Sequence, residues 1–193
     1  ESLIGVPGTI GGAIIMNAGA YGKEISNYLI NFKTVNKDGV IKEYDKKQIK
    51  FSYRNSSIPE SEIILDANFR FKKGIQSNID SEKKKVSFSR KSKQPLRFRS
   101  AGSIFKNPNH SIAAGYLIDK ANLKGLKKGS AEISTKHANF IINHGDASSE
   151  DVLFLIKHIK EEVKTKFDID LELEIKLLGF SETEIKGIAW LVI

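Results

Sequence analysis

Arg54 lies in Phe51-Ser52-Tyr53-Arg54-Asn55-Ser56, one guanidinium beside two aromatic residues. Arginine presents a rigid, permanently charged fork that grips a carboxylate at two points. The same spacing describes a surface arginine stacked on Tyr53. Ser103 follows Gly102 in a dense run of small, apolar and hydrogen-bonding residues, Ala101 to Pro108. Its hydroxyl can donate a proton where nearby positive charge steadies the conjugate base, and Lys106 is a candidate neighbour. A turn serine is the plain alternative. Hydrolytic chemistry is not supported, because the Gly-x-Ser-x-Gly elbow is missing and no aspartate–histidine pair has triad spacing. Glu174 stands with Glu172 on the polar side of an alternating segment. If that segment returns to a cleft, burial would raise the carboxyl pKa and suit it to proton handling; otherwise it is an ordinary wet carboxylate.

Metal chemistry has little to build on. Cysteine is absent, which removes thiolate nucleophiles, disulfides and cysteine-ligated zinc or iron–sulfur sites. His110, His137, His144 and His158 form no His-Glu-x-x-His pattern, so no metal site is expected. His137, in Ser134-Thr135-Lys136-His137-Ala138-Asn139, reads as a loop ligand for backbone groups or for a substrate phosphate. Phosphate binding has more support. The glycines and the Thr9 hydroxyl of Pro7 to Gly12 could cradle a pyrophosphate with backbone donors. Neither the dinucleotide fingerprint nor the P-loop is present, so any nucleotide fold is of another kind.

The elements that must position these residues alternate between strand and helix, with no internal repeat. Glycine-rich loops around a short helix are expected over residues 1 to 22. A hairpin follows, Leu29 to Val35 and Val40 to Tyr44, joined by a turn with the Asp38-Gly39 pair. Ile63, Leu65, Ala67, Phe69 and Phe71 alternate as a strand with one buried face. Residues 78 to 93 read as an exposed helix or a connector, whose basic tract is an ordinary solvated face. A short helix is expected over Ala113 to Ala121 and a short strand over Asn139 to Asn143. Ser148 and Asp151 form a capping-box variant ahead of the helical stripe Val152, Leu155, Ile156, Ile159 and Val163. His158 falls on the solvent side of that helix. Ile169, Leu171, Leu173, Ile175 and Leu177 alternate with charged residues as a strand.

With 193 residues, 40% hydrophobic and 28% charged, the chain is large enough and apolar enough to fold. A formal charge of +8 and a pI near 9.5 favour anionic partners without choosing among them. No apolar run approaches the roughly 20 residues of a membrane span, and no secretory signal is visible, so the expected location is cytoplasmic. The chain enters an apolar, glycine-rich stretch without an initiator Met, which reads as the interior of a longer polypeptide or a product cut from one. Its end, Ile188-Ala189-Trp190-Leu191-Val192-Ile193, is expected to pack on the body or form an exposed apolar tail.

Five segments together carry a resemblance: Gly5-Val6-Pro7-Gly8-Thr9-Ile10-Gly11-Gly12, Met16-Asn17-Ala18-Gly19-Ala20-Tyr21-Gly22, Tyr53-Arg54-Asn55-Ser56, Ala101-Gly102-Ser103-Ile104-Phe105-Lys106-Asn107-Pro108 and Lys136-His137-Ala138-Asn139-Phe140-Ile141-Ile142-Asn143. In this order they resemble the UDP-N-acetylenolpyruvoylglucosamine reductase family, flavoenzymes of bacterial cell-wall precursor synthesis. The short connection after Arg54 resembles its compact subgroup. The resemblance implies an α+β fold, the C-terminal portion of such a reductase. Residues 1–96 would be the second lobe of a PCMH-like FAD-binding domain with its connector. Residues 97–168 would be an α+β substrate-binding domain, and 169–193 a return strand to the active site with an atypical tail.

By the same resemblance the enzyme holds FAD, takes a hydride from NADPH and passes it to the enolpyruvyl group of UDP-N-acetylenolpyruvoylglucosamine. Arg54 matches the arginine that polarises the substrate carboxylate, Glu174 the glutamate that assists it, and Ser103 the serine that protonates the carbon. Gly5, Val6, Pro7, Gly8, Thr9, Gly11, Gly12, Asn17 and Gly19 fall to the flavin domain. Tyr53, Lys93, Gln94, Lys106 and Asn107 fall to the substrate side. Family members carry a first flavin-domain lobe ahead of the Gly5 segment, so a missing lobe, separate or cleaved, is an expected partner. The competing reading is a non-catalytic remnant that binds UDP-sugars or another protein. A nucleic-acid-binding module, motivated by the charge and by Lys83-Lys84-Lys85, lacks an aromatic stacking set or a recognition helix. Neither specific nucleic acid nor membrane insertion is expected.

Overall fold

The computed structural model describes residues 1–109 and 111–188. His110 and the apolar end from Ala189 lie outside the described residues. The chain divides into two compact units, residues 1–89 and 90–193. Both mix helix and antiparallel sheet, in agreement with the α+β expectation.

In the first unit, helix α1 (Ile10–Ile15) starts at Thr9, whose Oγ1 accepts the Gly12 N–H at 3.1 Å. Two short strands, β1 (Gly19–Ala20) and β2 (Lys23–Glu24), form a two-residue hairpin. Its loop residues Tyr21 and Gly22 both have positive φ, 53° and 73°, as a type I′ turn requires. The main sheet has the order β4-β3-β7, from β3 (Leu29–Val35), β4 (Ile41–Asp45) and β7 (Ile63–Phe69), all antiparallel. The β3–β4 turn is tied by Asn36, whose Oδ1 accepts from the N–H groups of Asp38 and Val40 at 3.0 and 2.9 Å. Phe32, in the central strand, is fully buried with Ile14, Ile25, Leu29, Ile49 and Ile58 around it. Burial of this kind stabilises by about 2 kcal/mol per large side chain. A β-carbon at Gly11 would lie 3.5 Å from the Ile64 Cβ, so the glycine lets α1 settle closely on β7. Another hairpin, β5 (Phe51–Ser52) and β6 (Asn55–Ser56), carries Tyr53 and Arg54 at its tip.

Helix α2 (Gln76–Lys93) buries only Val86, as an exposed helix should. Arg90, Lys91 and Lys93 fill its last turn, where cations favour the helix dipole. The boundary between the units, after Ser89, falls inside this helix.

The second unit is built on a four-stranded antiparallel sheet of order β8-β11-β10-β9, from β8 (Arg99–Ser103), β9 (Lys127–Lys128), β10 (Ala131–Ile133) and β11 (Phe140–Asn143). Helices α3 (Ala114–Lys120) and α4 (Ser149–Phe167) cover it. Ser148 and Asp151 make both bonds of the capping box, each at 3.1 Å. Leu155, Ile156, Ile159 and Val163 are fully buried along α4, the expected stripe. A short helix α5 (Glu182–Ile185) follows.

Three readings of the sequence differ from the structure here. The alternating set from Ile63 to Phe71 is not one buried face: Ile63, Leu65 and Phe71 are exposed, while Ile64, Ala67 and Phe69 pack on the core, because a register shift between Lys33 and Thr34 breaks the period of two. The β9–β10 hairpin was not anticipated, because two lysines at the strand Lys127–Lys128 give no apolar alternation to detect. The segment from Ile169 to Leu177 buries Leu171 fully, yet it bends at Glu174 and Ile175 and forms no strand. Its ladder contact is a single antiparallel bridge, Phe105 to Leu173. Alternation reports which side chains turn inward, and a strand needs in addition a partner long enough to complete a ladder. Among the described residues no helix is long and apolar enough to cross a membrane, and no group of three or more histidine, aspartate or glutamate side chains could hold a metal ion.

Candidate functional site

Arg54 owes its position to a polar mesh in the first unit. Asn17 is fully buried with φ 46°. Its Nδ2 donates to Glu24 Oε2 at 2.7 Å and to the Ser52 carbonyl at 2.9 Å, and its Oδ1 accepts the Ser26 N–H at 3.4 Å. Ser56 Oγ donates to the Ile15 carbonyl at 2.8 Å. These bonds pin both strands of the Arg54 hairpin to the end of α1. Arg54 itself has φ 54°, a left-handed conformation costing an ordinary residue about 1–2 kcal/mol. Its guanidinium carbon lies 4.9 Å from the centre of the Tyr53 ring. The stacked-arginine reading is therefore realised, a face-on contact that suits a planar cation.

The glycine-rich segment divides by role. Gly5, Val6, Pro7, Gly8 and Thr9 are exposed. Val6 and Ile10 keep 44% and 58% of their surface open, and Gly8, at φ 138°, has open space where a β-carbon would be. An uncovered backbone with apolar side chains beside it fits a flat, extended dinucleotide. Gly12 faces Thr9 Oγ1, at 3.3 Å from where its β-carbon would lie. Gly19 has no room for a side chain: a β-carbon would meet Glu24 Cγ and the Lys23 carbonyl at 2.9 Å. Gly19 and Asn17 thus shape the loop, and their own groups are engaged within the protein.

In the second unit, Ser103 closes β8 opposite Phe140, beside Gly102 at φ 84°. The next residues leave the sheet and pair elsewhere. Lys106 N–H donates to the Glu172 carbonyl, and Glu174 N–H to the Ile104 carbonyl, each at 2.8 Å. Glu174 is thereby fastened through its backbone to Ile104, the residue that follows Ser103. Lys106 bonds Glu172 Oε2 at 3.3 Å, which engages its ammonium with a carboxylate. Asn107 Oδ1 accepts the Ala114 N–H at 3.1 Å and caps α3, whose own N-cap is an alanine. Lys93 ends α2 on the surface, and Gln94 Oε1 accepts from Arg90 at 3.4 Å.

Asn139 is the organiser that sequence spacing did not reveal. Buried beneath the loop, its Oδ1 accepts the Phe105 N–H at 2.9 Å and its Nδ2 donates to the Phe105 carbonyl at 2.8 Å. One side chain thus mimics a strand partner, and Phe105 can turn its other edge to Leu173. Only the contact across 34 residues identifies the role. Asn139→Ala would strand two buried backbone groups, and a loss of about 2–4 kcal/mol is expected. Chemical denaturation together with amide exchange at Phe105, Lys106 and Glu174 checks this; unchanged protection at these three amides would show that the bridge does not hold the loop.

His137 packs edge-on against Phe140, ring centres 4.7 Å apart, and against the α3 backbone at Gly115. Burial holds its pKa below the usual imidazole value, which favours the neutral ring near pH 7. A neutral, packed imidazole is better suited to closing the β10–β11 connection than to balancing phosphate charge. His144 Nε2 meets Glu132 at 2.8 Å, and His158 stacks on Phe154.

Residues 94–178 match the family model for the C-terminal domain of UDP-N-acetylenolpyruvoylglucosamine reductase. The reductase of that name from Enterococcus faecalis is 42% identical over 180 residues, covering 93% of this chain and 60% of the relative. That from Chloroherpeton thalassium is 44% identical over 190 residues, covering 94% and 60%. The crystal structure of UDP-N-acetylenolpyruvylglucosamine reductase from Thermus caldophilus superposes with a TM-score of 0.80 at 36% identity, over 91% of this chain and 62% of that one. The chain therefore spans about 60% of the length of the curated relatives it matches.

Proposed function

We propose that this chain, which belongs to the UDP-N-acetylenolpyruvoylglucosamine reductase family through its residues 94–178, acts in the NADPH-dependent reduction of UDP-N-acetylenolpyruvoylglucosamine to UDP-N-acetylmuramate, a step of peptidoglycan precursor synthesis. FAD, when bound, supplies the hydride chemistry that no side chain can. The exposed backbone of Gly5 to Thr9, with Gly11 and Gly12 behind it, would hold it.

The chain's own residues do the rest. Arg54 grips the substrate carboxylate with its fork, and the positive charge draws electron density from the adjoining double bond. The far carbon then accepts hydride more readily. Ser103 gives its hydroxyl proton to the carbon beside the carboxylate, where negative charge gathers. Glu174 assists at the carboxylate end. Tyr53 braces Arg54 by stacking, while Lys93, Gln94, Lys106 and Asn107 lie on the nucleotide-sugar side. The observation that supports this reading is the backbone pairing of Ile104 with Glu174, which ties the segment carrying Glu174 to the residue after Ser103.

The test is to purify the protein, record its flavin spectrum and measure NADPH oxidation dependent on the enolpyruvyl substrate. Arg54→Ala is expected to lower substrate reduction by roughly 10²–10³-fold with flavin content unchanged, and Arg54→Lys to recover little of it, since an ammonium lacks the planar fork. UDP-sugar binding without flavin or turnover would instead favour the non-catalytic reading.

A further inference from the structure

At the end of β7 away from α1 the first unit carries a groove of about 950 Å³, lined by Tyr28, Phe71, Lys46, Lys47, Arg70 and Lys72 and also by the carboxylates of Glu1 and Asp45. It lies six residues along the strand from Ile64, where α1 packs, or about 20 Å. Its residues are separate from Gly5 to Thr9 and from Arg54.

The floor is aromatic. The Tyr28 and Phe71 ring centres are 5.3 Å apart at 30°, and Phe71 also stacks on Phe69 at 6.1 Å. The Arg70 N–H donates to the Tyr28 carbonyl at 2.8 Å and locks the two sides together. Phe71 nevertheless leaves 69% of its surface open. A large aromatic held in place yet uncovered offers a ready stacking face.

The walls are cationic. Lys46, Lys47, Arg70 and Lys72 have no ion-pair partner among the described residues. The Asp45 carboxylate is used in its own turn, accepting the Lys47 N–H at 2.8 Å. Four unpaired cations around a stacking surface ask for a ligand that is both polyanionic and flat. A bare phosphate would leave the aromatic floor unused, and a hydrocarbon would leave the charges unanswered. The volume suits one small molecule, since such sites run from about 300 to 1,000 Å³, and a polymer would need a longer track.

We propose that this groove binds a nucleoside polyphosphate, its base stacked on Phe71 and its phosphates held by Lys46, Lys47, Arg70 and Lys72. The proposal does not depend on the reductase reading. The test titrates the purified protein with ATP, tripolyphosphate, adenosine and a thymidine oligonucleotide at low salt, read by calorimetry and by amide chemical shifts. Saturable ATP binding is expected, with shifts at Tyr28, Lys47 and Phe71. Phe71→Ala should weaken ATP roughly tenfold and leave tripolyphosphate unchanged. The double variant Lys46→Glu, Lys47→Glu should weaken both ligands by about tenfold or more, and Arg54→Ala should alter neither. Both sets of side chains lie at the surface, so the variants should fold. Absence of saturable ATP binding at about 5 mM, ATP affinity indifferent to both substitutions, or tripolyphosphate binding as tightly as ATP would overturn the proposal. An oligonucleotide binding more tightly than ATP and losing affinity with Phe71→Ala would overturn it as well, in favour of a polymer track.

Discussion

Ser103→Ala is expected to lower reduction of the enolpyruvyl substrate by roughly 10²–10⁴-fold, the range for removing a positioned general acid. Flavin reduction by NADPH should stay within a factor of about two. The contrast follows from the proposed role, in which the hydroxyl would be needed only where negative charge gathers on the substrate carbon. The alanine leaves the strand end intact: Ser103 pairs with Phe140 through backbone groups, and Ile104, Phe105 and Lys106 are held by Asn139 and by the 172–174 segment. In stopped flow the first half-reaction should therefore look native while the second slows. Ser103→Cys, which keeps a transferable proton, should recover part of the rate in deuterium oxide or water with an altered solvent isotope effect. Equal slowing of both half-reactions with full flavin content would mean that Ser103 supports the fold of the loop and not the proton transfer.

How far this site could be read from sequence depended on whether its parts are local. The α4 cap was legible, because Ser148 and Asp151 sit three residues apart and the stripe that follows keeps helical period. So was the β3–β4 turn, carried by Asn36 to Gly39. Arg54 and Ser103 were legible as chemistry-bearing types in unusual company. What positions them was not. Asn17 reaches Ser52 across 35 residues, Ser56 reaches Ile15 across 41, and Asn139 reaches Phe105 across 34. No spacing rule covers such distances, since the amide of an asparagine reads the same whether it caps a turn, meets water or replaces a strand. The 169–177 segment erred in the other direction: its period of two was real, but the chain opposite it supplies only the residues from Ile104 to Lys106. Glu62 was hidden most completely, because Pro59-Glu60-Ser61-Glu62 has the look of a wet turn.

Glu62 is almost fully buried, and replacing it should produce the largest stability loss in the first unit. Its Oε2 accepts from Thr34 Oγ1 at 2.7 Å, and its Oε1 accepts from Lys42 Nζ and from the Tyr44 hydroxyl, each at 3.0 Å. One carboxylate thus gathers donors from both β3 and β4 at the entry to β7. Glu62→Ala leaves the Thr34 and Tyr44 hydroxyls without their acceptor and opens a cavity beside the sheet. A loss of about 3–5 kcal/mol is expected, the usual range when one partner of a buried charged cluster is removed. Glu62→Gln keeps the volume and one acceptor, so it should cost less. The cluster also makes this unit acid-sensitive. The Thr34 bond first, then those from Lys42 and Tyr44, hold the Glu62 carboxyl below its ordinary value of 4.5, against the opposing pull of burial. A folded-state pKa below the unfolded one means that the unfolded chain binds the proton more tightly. The stabilisation is therefore complete above about 4.5 and disappears as pH falls through the lower folded value. Amide exchange at Phe32, Thr34 and Ala67 reports this unit alone. Protection there should fall by about two decades or more in Glu62→Ala at neutral pH, and the decline in wild-type protection below pH 4.5 should flatten in Glu62→Gln. If Glu62→Gln kept the wild-type acid response, the proton would be taken up elsewhere, and the carboxylate would be a packing residue that happens to carry charge.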